Sequence, residues 1–269
     1  FIMYLFYLAK PTYGGWVSFT AHLQLKYGYP IHKITKTTEK KTRDYGYGTK
    51  YQNVNINYLL TIPKEKILIT ALDKYYLDVI DEFVGCSIVI HDPTELKLNI
   101  DLSKFNVITI RPIVSKLLES KGIPNTLKLH PFASVKKQLV KDNPSGAVSI
   151  SRIDFDKNID TLCLANKELD NKIEIYGKQN EMYVYHKLNK LDFKEYYCGR
   201  FPKCYKALED ILHNKCFVVD NSSIKGDGGG TQYTFLEAIH YDCVLILNKK
   251  WITTEDCIWE DKNNCLVID

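Results

Sequence analysis

Several common signals are missing from this sequence, and each absence excludes a class of protein. The eight cysteines are scattered singly, without a Cys-x-x-Cys pair, so we expect neither a zinc site nor a disulfide framework. Buried free thiols in the reducing cytoplasm fit this pattern better. The loop KPTYGGW after the first apolar run has no Gly-x-Gly-x-x-Gly fingerprint, which argues against a dinucleotide-dependent enzyme such as an epimerase. We therefore expect a cytoplasmic protein with no bound metal and no dinucleotide cofactor.

Long apolar runs are also missing. The opening segment FIMYLFYLA is too short to span a bilayer and lacks the basic flank and cleavage site of a signal peptide. It predicts a buried strand, and no membrane span is expected. The hydrophobic content of 45% and charged content of 25% are ordinary for a globular protein. The net charge of +4 neither requires nor excludes a nucleic-acid partner, and nothing in the sequence indicates an oligomeric state.

The sequence does contain a repeated alternation of strand-like and helix-like segments. FIMYLFYLA, KEKILITALD and CSIVIHDP have the apolar pattern of buried strands. The alternation resumes after KKQLVKDNPSG, whose charges, Asn, Pro and Gly are typical of a linker. This pattern predicts two Rossmann-like α/β domains with parallel sheets that face each other across a cleft. The predicted domains are residues 1–143 and 144–269.

The most informative stretch, residues 216–248, predicts a strand, a glycine-rich loop, a helix and a second strand. Glycines let the backbone approach a ligand closely, and a helix start presents unpaired N–H groups that suit a phosphate. The candidate phosphate-binding residues are Gly228, Gly229, Gly230 and Thr231, with the helix capped at Thr231 or the residue before it. Glu237, about two turns into the helix, can accept hydrogen bonds from sugar or ribose hydroxyls. The alternative is a plain strand-to-helix turn with a solvated Glu237.

Two cations follow the first strand of the second predicted domain. Arg152 comes directly after the apolar run AVSIS, and Lys157 lies near the start of the next helix. Flanking a strand-to-helix turn, the two side chains can grip a diphosphate. The alternative is a pair of surface cations.

These motifs together resemble the donor-binding region of retaining GT-B glycosyltransferases of the group 1 type. The triplet Leu236-Glu237-Ala238 matches a Leu-Glu-Ala helix motif of that family, and SRID...KN resembles its arginine and lysine pair. The resemblance implies that Arg152 and Lys157 neutralise the leaving nucleotide diphosphate. The family's first glutamate usually lies eight residues before the helix glutamate. That position is Gly229 here, and the nearest acid, Asp227, is the candidate replacement.

The first predicted domain offers a thinner set of candidates. Gly14 and Gly15 follow the first strand, where GT-B enzymes often carry a Gly-Gly near the donor phosphate and the acceptor; an ordinary tight turn is the alternative. His91 and Asp92 follow another strand, and ligands gather at the carboxyl ends of parallel strands. His91 can position an acceptor or polarise a hydroxyl, and Asp92 can orient it or act as a base. Alternatively, Asp92 starts a turn and caps a helix.

The resemblance also implies a base-binding slot and a reaction. The turn at Gly199 and Phe201 matches an aromatic-glycine pattern that lines the nucleotide-base slot. The expected activity is transfer of a sugar from a nucleotide-diphosphate sugar to an acceptor glycan or other hydroxyl, with retention of configuration and no bound metal. The first domain would then face the acceptor, and the second would bind the nucleotide sugar.

Two other hypotheses about the function stay open. Residues 32–53 hold six Lys or Arg against two acids, with interleaved Tyr and Gly. They predict either a solvated hairpin or a flap facing the acceptor, and the flap would suit a modified base in DNA, the acceptor of some phage enzymes. The missing first glutamate would also suit a non-catalytic module that binds a nucleotide sugar.

Overall fold

The computed structural model describes residues 2–11, 14–35, 44–45, 49–133, 144–200, 204–224, 230–254 and 257–268. Contacts within the chain divide it into two compact units, Phe1–Ser134 and Val135–Asp269. The predicted boundary between residues 143 and 144 falls at the end of the segment 134–143, which lies outside the described residues.

Unit 1 is built on one sheet in the order β3-β4-β2-β1-β5-β6-β7-β8. Every strand pair is parallel except β3 with β4. Its central strands are buried on both faces, as in β5, where all six residues ILITAL are buried. The strands are β1 Tyr4–Leu8, β2 Ile31–Ile34, β3 Asp44–Tyr45, β4 Thr49–Val54, β5 Ile67–Leu72, β6 Ser87–Ile90, β7 Asn106–Thr109 and β8 Asn125–Leu127.

The helices of unit 1 are α1 Gly15–Tyr27 and α2 Pro112–Ser120. Shorter 3-10 segments span Ile56–Thr61, Lys64–Lys66, Lys74–Phe83, Pro93–Leu98 and Leu102–Lys104. Gly28 ends α1 in the left-handed conformation, with a φ of 72°, as the sequence pattern of a glycine after an apolar helix predicts. The sequence YYLDVIDEFV also predicts a helix, but the structure has a 3-10 helix there, Lys74–Phe83. The spacing of Val17, Ala21 and Leu25 predicts one apolar face of α1, and this is wrong for Leu25, which is 41% exposed.

Unit 2 has a fully parallel sheet in the order β11-β10-β9-β12-β13-β14. Its strands are β9 Ala147–Ile150, β10 Ile173–Tyr176, β11 Tyr197–Gly199, β12 Phe217–Asp220, β13 Val244–Asn248 and β14 Leu266–Ile268. Its helices are α3 Ile159–Glu168, α4 Glu181–Tyr183, α5 Phe193–Tyr196, α6 Tyr205–Leu212 and α7 Tyr233–His240. A π-helical turn, Val184–Leu188, extends α4, and 3-10 turns span Phe155–Lys157 and Lys249–Trp251. The sequence from Phe193 onward predicts a short strand, but β11 begins four residues later, after α5.

Each sheet has a point where the order of its strands reverses. In unit 1 the chain runs outward from β1 through β2 and β4, then returns to β5 on the other side of β1. In unit 2 it runs from β9 through β10 to β11, then returns to β12 beside β9. Ligands of open α/β sheets bind at such switch points, outside the carboxyl ends of the strands. The candidate binding sites are therefore the carboxyl ends of β1 and β5 in unit 1, and those of β9 and β12 in unit 2.

Candidate functional site

Arg152 lies at the switch point of unit 2, where the chain leaves β9. Its guanidinium Nη1 is 2.7 Å from Oδ2 of Asp154, and Nη2 is 3.1 Å from Oδ2 of Asp156. The side chain of Arg152 is 49% exposed. Its position at the strand end is as predicted, but two carboxylates already oppose its charge. An anionic ligand must therefore compete with Asp154 and Asp156 for this cation.

Lys157 presents the more available positive charge. Its Nζ lies 3.4 Å from Oε1 of Gln232, the residue that precedes the first turn of α7. Among the described residues, no carboxylate lies within ion-pair distance of Nζ. The start of a helix carries a partial positive charge and unpaired N–H groups. The charge of Lys157 and the partial positive charge at the start of α7 thus lie side by side, although Lys157 and Gln232 are 75 residues apart in the sequence.

Asn158 fixes the turn after β9 against the turn after β12. It has a φ of 47°, in the left-handed region that Asn tolerates better than most residues. Its Nδ2 donates to the carbonyl of Asn221 at 2.8 Å and to Oγ of Ser223 at 3.0 Å. The amide of Ser223 donates in turn to the carbonyl of Asp156 at 2.8 Å. Sequence reasoning missed Asn158, and its only local signal is an Asn directly after Lys157.

Gly177 supports the same edge of the sheet from β10. It has a φ of 155°, and a Cβ at this position would lie 1.6 Å from the carbonyl oxygen of Ser151. No side chain can replace that hydrogen without moving the backbone just before Arg152. The Gly177 amide also donates to the carbonyl of Gly199 at 3.0 Å. Gly199, a candidate for the base slot, therefore lies at the end of β11 on this edge.

The glycine-rich loop is described only at its end. Gly230 has a φ of 100°, a conformation that favours glycine. The residue that caps α7 is Gln232 rather than Thr231 or Gly230, and it makes no side-chain capping bond. The remaining loop candidates and the second base-slot candidate lie outside the described residues: Asp227, Gly228, Gly229 and Phe201.

Glu237 points into the protein. It is 4% exposed, so the alternative of a solvated glutamate is wrong. On the same helix Phe235 is buried, whereas Ile239 is 50% exposed. A role for Glu237 toward sugar or ribose hydroxyls stays a prediction.

His91 lies in unit 1 just after β6, with its imidazole enclosed. Nε2 is 2.8 Å from the carbonyl of Thr70, and because a carbonyl only accepts, Nε2 carries the proton. The Phe19 ring meets the imidazole edge-on at a centroid distance of 4.8 Å, and the Trp16 ring lies 6.3 Å away. Burial lowers the pKa of His91 from 6.5 to about 4. At neutral pH His91 is therefore uncharged, and its Nδ1 can only accept a hydrogen bond.

Asp92 caps the 3-10 turn Pro93–Leu98. Its Oδ1 accepts from the amide of Thr94 at 2.8 Å and also from the Thr94 hydroxyl. The capping alternative for Asp92 is confirmed, and a role as a base stays a prediction.

Glu95 is a residue of this region that sequence reasoning missed. Its Oε1 accepts from the indole N–H of Trp16 at 2.8 Å, and its Oε2 from the backbone amide of His91 at 3.0 Å. Burial raises the pKa of Glu95 to about 8. Its sequence setting, PTELKL, gives no sign of this burial, because a glutamate in the first turn of a short helix is usually exposed to solvent.

Gly14 and Gly15 lie at the start of α1, directly before Trp16. Gly14 has a φ of 102° and precedes the first residue of the helix. Beyond the end of β8, burial and, to a lesser extent, the charge of Arg111 lower the pKa of His130 to about 4. Its place before Pro131 in the sequence predicts a structural or hinge residue rather than a catalyst, and this stays a prediction.

The described residues contain no group of three or more His, Cys, Asp or Glu side chains placed to hold a metal ion. In the same part of the chain, no helix is both long and apolar enough to cross a membrane.

Solved structures share this architecture, although neither a protein-family model nor a curated protein sequence matches the chain. Anabaena HepE in complex with UDP aligns with a TM-score of 0.66 and 12% identity, over 99% of this chain and 85% of that protein. The lipopolysaccharide outer core galactosyltransferase WaaB aligns with a TM-score of 0.61 and 13% identity, over 100% and 86% of the two chains. An alpha-glucosyltransferase in complex with UDP and a DNA 13-mer containing an HMU base aligns with a TM-score of 0.58 and 13% identity, over 93% and 80%.

These neighbours are GT-B glycosyltransferases. At this level of identity the alignments show the fold alone. The fold of the chain is GT-B, and the predicted α/β class with parallel sheets is confirmed.

Proposed function

We propose that the protein is a glycosyltransferase that moves a sugar from a nucleotide-diphosphate sugar to an acceptor hydroxyl. The observation that carries the proposal is the meeting of Lys157 with the start of α7 at the switch point of unit 2. Arg152 follows β9, the strand that lies beside β12 in the sheet. HepE, with the same fold, binds UDP-glucose, which makes a uridine-diphosphate sugar the first donor to test.

The donor half of the mechanism is stabilisation of the leaving group. As the bond between the anomeric carbon and the diphosphate oxygen breaks, its electron pair stays on the diphosphate. Lys157, Arg152 and the N–H groups at the start of α7 would stabilise this charge because they are already in place. These cations can supply the positive charge that a metal supplies in other transferases, so we propose a metal-independent reaction.

The acceptor half involves unit 1. The acceptor oxygen forms the new bond to the anomeric carbon, and its proton passes to the leaving diphosphate or to a base. His91 is suited to orient the acceptor hydroxyl, because the Nδ1 of its neutral imidazole can accept a hydrogen bond from that hydroxyl. This hydrogen bond does not transfer the proton to His91. We propose retention of configuration, the outcome that the resemblance to retaining enzymes implies.

The direct test is release of the nucleotide diphosphate from a panel of nucleotide sugars, with and without acceptor glycans. We expect release from one donor class. Lys157→Ala should raise the KM for the donor at least about tenfold, since one lost charge-assisted contact costs roughly 1.5–3 kcal/mol. Arg152→Ala should have the smaller effect, because a ligand gains Arg152 only by displacing two carboxylates.

Lys167→Ala is the matched control, because Lys167 lies near the carboxyl end of α3 and pairs there with Asp192. Wild-type kinetics in both Lys157→Ala and Arg152→Ala would contradict the phosphate assignment. Donor binding without release or transfer would instead identify a non-catalytic binding module, as the missing first glutamate allows.

DNA is a second candidate acceptor. Residues 32–53 carry six basic residues against two acidic ones, and one structural neighbour is an alpha-glucosyltransferase in complex with modified DNA. If DNA carrying hydroxymethylated bases is the acceptor, its affinity should fall steeply with salt as counterions are released. A salt-independent KM for the acceptor would favour a neutral glycan.

A further inference from the structure

Glu95 connects two elements of unit 1 that carry candidate residues. Its side chain is buried, and the residue is 7% exposed. Its two oxygens accept hydrogen bonds from α1, through the Trp16 indole, and from the end of β6, through the His91 amide. Trp16 follows the Gly14–Gly15 turn directly, so one side chain spans the distance from that turn to His91.

The surroundings of Glu95 leave it few other partners. It lines a small cavity whose other walls are apolar, formed by residues such as Leu72, Ile90 and Leu96. Burying a carboxyl group in such surroundings is costly unless its oxygens are hydrogen-bonded. An apolar residue would fill this space at less cost in stability, which points to a role for Glu95 beyond packing.

Other contacts make the connection rigid. The Thr20 hydroxyl donates to the Trp16 carbonyl at 2.8 Å and lies 2.8 Å from Oγ1 of Thr70. Thr70 in turn accepts from the His91 imidazole through its carbonyl. Both the backbone and the ring of His91 are therefore held relative to the first turn of α1.

We propose that Glu95 is a positioning residue for the transfer reaction. By holding the Trp16 indole and the His91 amide, it fixes the spacing between the Gly14–Gly15 turn and the imidazole that orients the reacting hydroxyl. This inference rests on the proposed function.

The test compares Glu95→Gln and Trp16→Phe with the wild-type protein in the nucleotide-release assay. Trp16 and His91 donate to different oxygens of Glu95, and a glutamine has one oxygen and one NH2 group, so its NH2 must face one of the two N–H donors. Phenylalanine at position 16 removes only the indole donor. We expect kcat to fall about 10–100-fold in Glu95→Gln and less in Trp16→Phe, because small misplacements of a reacting group are costly. The KM for the donor should change less than about twofold, since the candidate phosphate ligands belong to unit 2.

The double variant distinguishes one shared contact from two separate effects. If Glu95 and Trp16 act together, the double variant should be no slower than Glu95→Gln alone. Glu65→Gln is the matched control, because the exposed Glu65 lies at the opposite, amino end of β5. Folding of each variant is checked by circular dichroism at the assay temperature.

Unchanged kcat in both folded single variants would overturn the inference while leaving the proposed function in place. Multiplying effects in the double variant would also overturn it. If Glu95→Gln does not fold, Trp16→Phe alone decides. A wild-type protein that releases no nucleotide from any donor would overturn the proposed function, and this inference with it.

Discussion

Arg152 and Lys157 show how surroundings distinguish two cations five positions apart. Arg152 is paired with two aspartates, whereas the described contact of Lys157 is the neutral side chain of Gln232. The Arg152 side chain is 49% exposed, but those of Asp154 and Asp156 are only 22% and 10% exposed. A diphosphate must therefore draw the guanidinium away from two partly buried carboxylates. The exchange reduces the net gain from Arg152, and Lys157 should dominate donor affinity.

His91 should make the protein sensitive to acid. Its pKa is about 4 in the folded protein, against 6.5 for the free side chain, so the unfolded chain binds the proton more readily between these values. The stability that His91 contributes is fully present above about pH 6.5 and is lost as the pH falls toward 4. The loss amounts to roughly 3 kcal/mol at most.

Chemical unfolding of the wild-type protein and His91→Gln between about pH 7 and pH 4 measures this contribution. The decline in the free energy of unfolding should be smaller in His91→Gln, and the same change at the exposed His186 is the control. Parallel curves for wild type and His91→Gln would contradict a buried neutral imidazole. Glu95 adds the opposite slope, because its raised pKa removes stability as the pH rises toward about 8.

At the scale of elements, β9 and β10 lie too close together for any residue but glycine at position 177. A Cβ there would overlap the carbonyl of Ser151, so Gly177→Ala must displace one of the two strand ends. We expect a loss of about 3 kcal/mol or more in the free energy of unfolding, beyond the strain of a positive φ alone. Thermal and chemical unfolding measure this loss.

Gly199→Ala is the matched comparison. Gly199 also has a positive φ, 114°, but a Cβ there would meet nothing within 4 Å. It should cost only the backbone strain, about 1–2 kcal/mol. Equal losses in the two variants would show that the close approach to Ser151 has no energetic consequence.

Helix starts and strand ends were the part of the site that the sequence could predict. Arg152 and His91 each follow an apolar strand pattern, and the parallel topology places such residues at the ligand-binding edge. Lys157 and the helix carrying Glu237 were placed at that edge for the same reason. Local patterns sufficed because the alternation of strands and helices implies parallel strands, whose carboxyl ends share one edge of the sheet.

Contacts between distant residues were beyond sequence reasoning. The pairing of Glu95 with Trp16 joins residues 79 positions apart, and no local pattern marks a glutamate in PTELKL as buried. The two aspartates that hold Arg152 were visible in the sequence, but their geometry was not. The requirement for glycine at position 177 likewise depends on a neighbouring strand.

At the scale of the whole molecule, a chain with the GT-B fold carries a cationic site at the switch point of unit 2 and a neutral histidine in unit 1. Each unit has its own sheet and its own core. A fold shared at 12–13% identity does not by itself define an activity. The proposed activity therefore depends on the residues at the strand ends.

The most direct test of the central claim is a thermal-shift screen of the wild-type protein and Lys157→Ala against nucleotides and nucleotide sugars, with and without EDTA. A ligand that binds only the folded state raises the Tm by mass action. We predict a higher Tm with one nucleotide diphosphate and its sugar, unaffected by EDTA and much reduced in Lys157→Ala. An equal shift in Lys157→Ala, or no shift with any nucleotide sugar, would contradict a donor site at the switch point of unit 2.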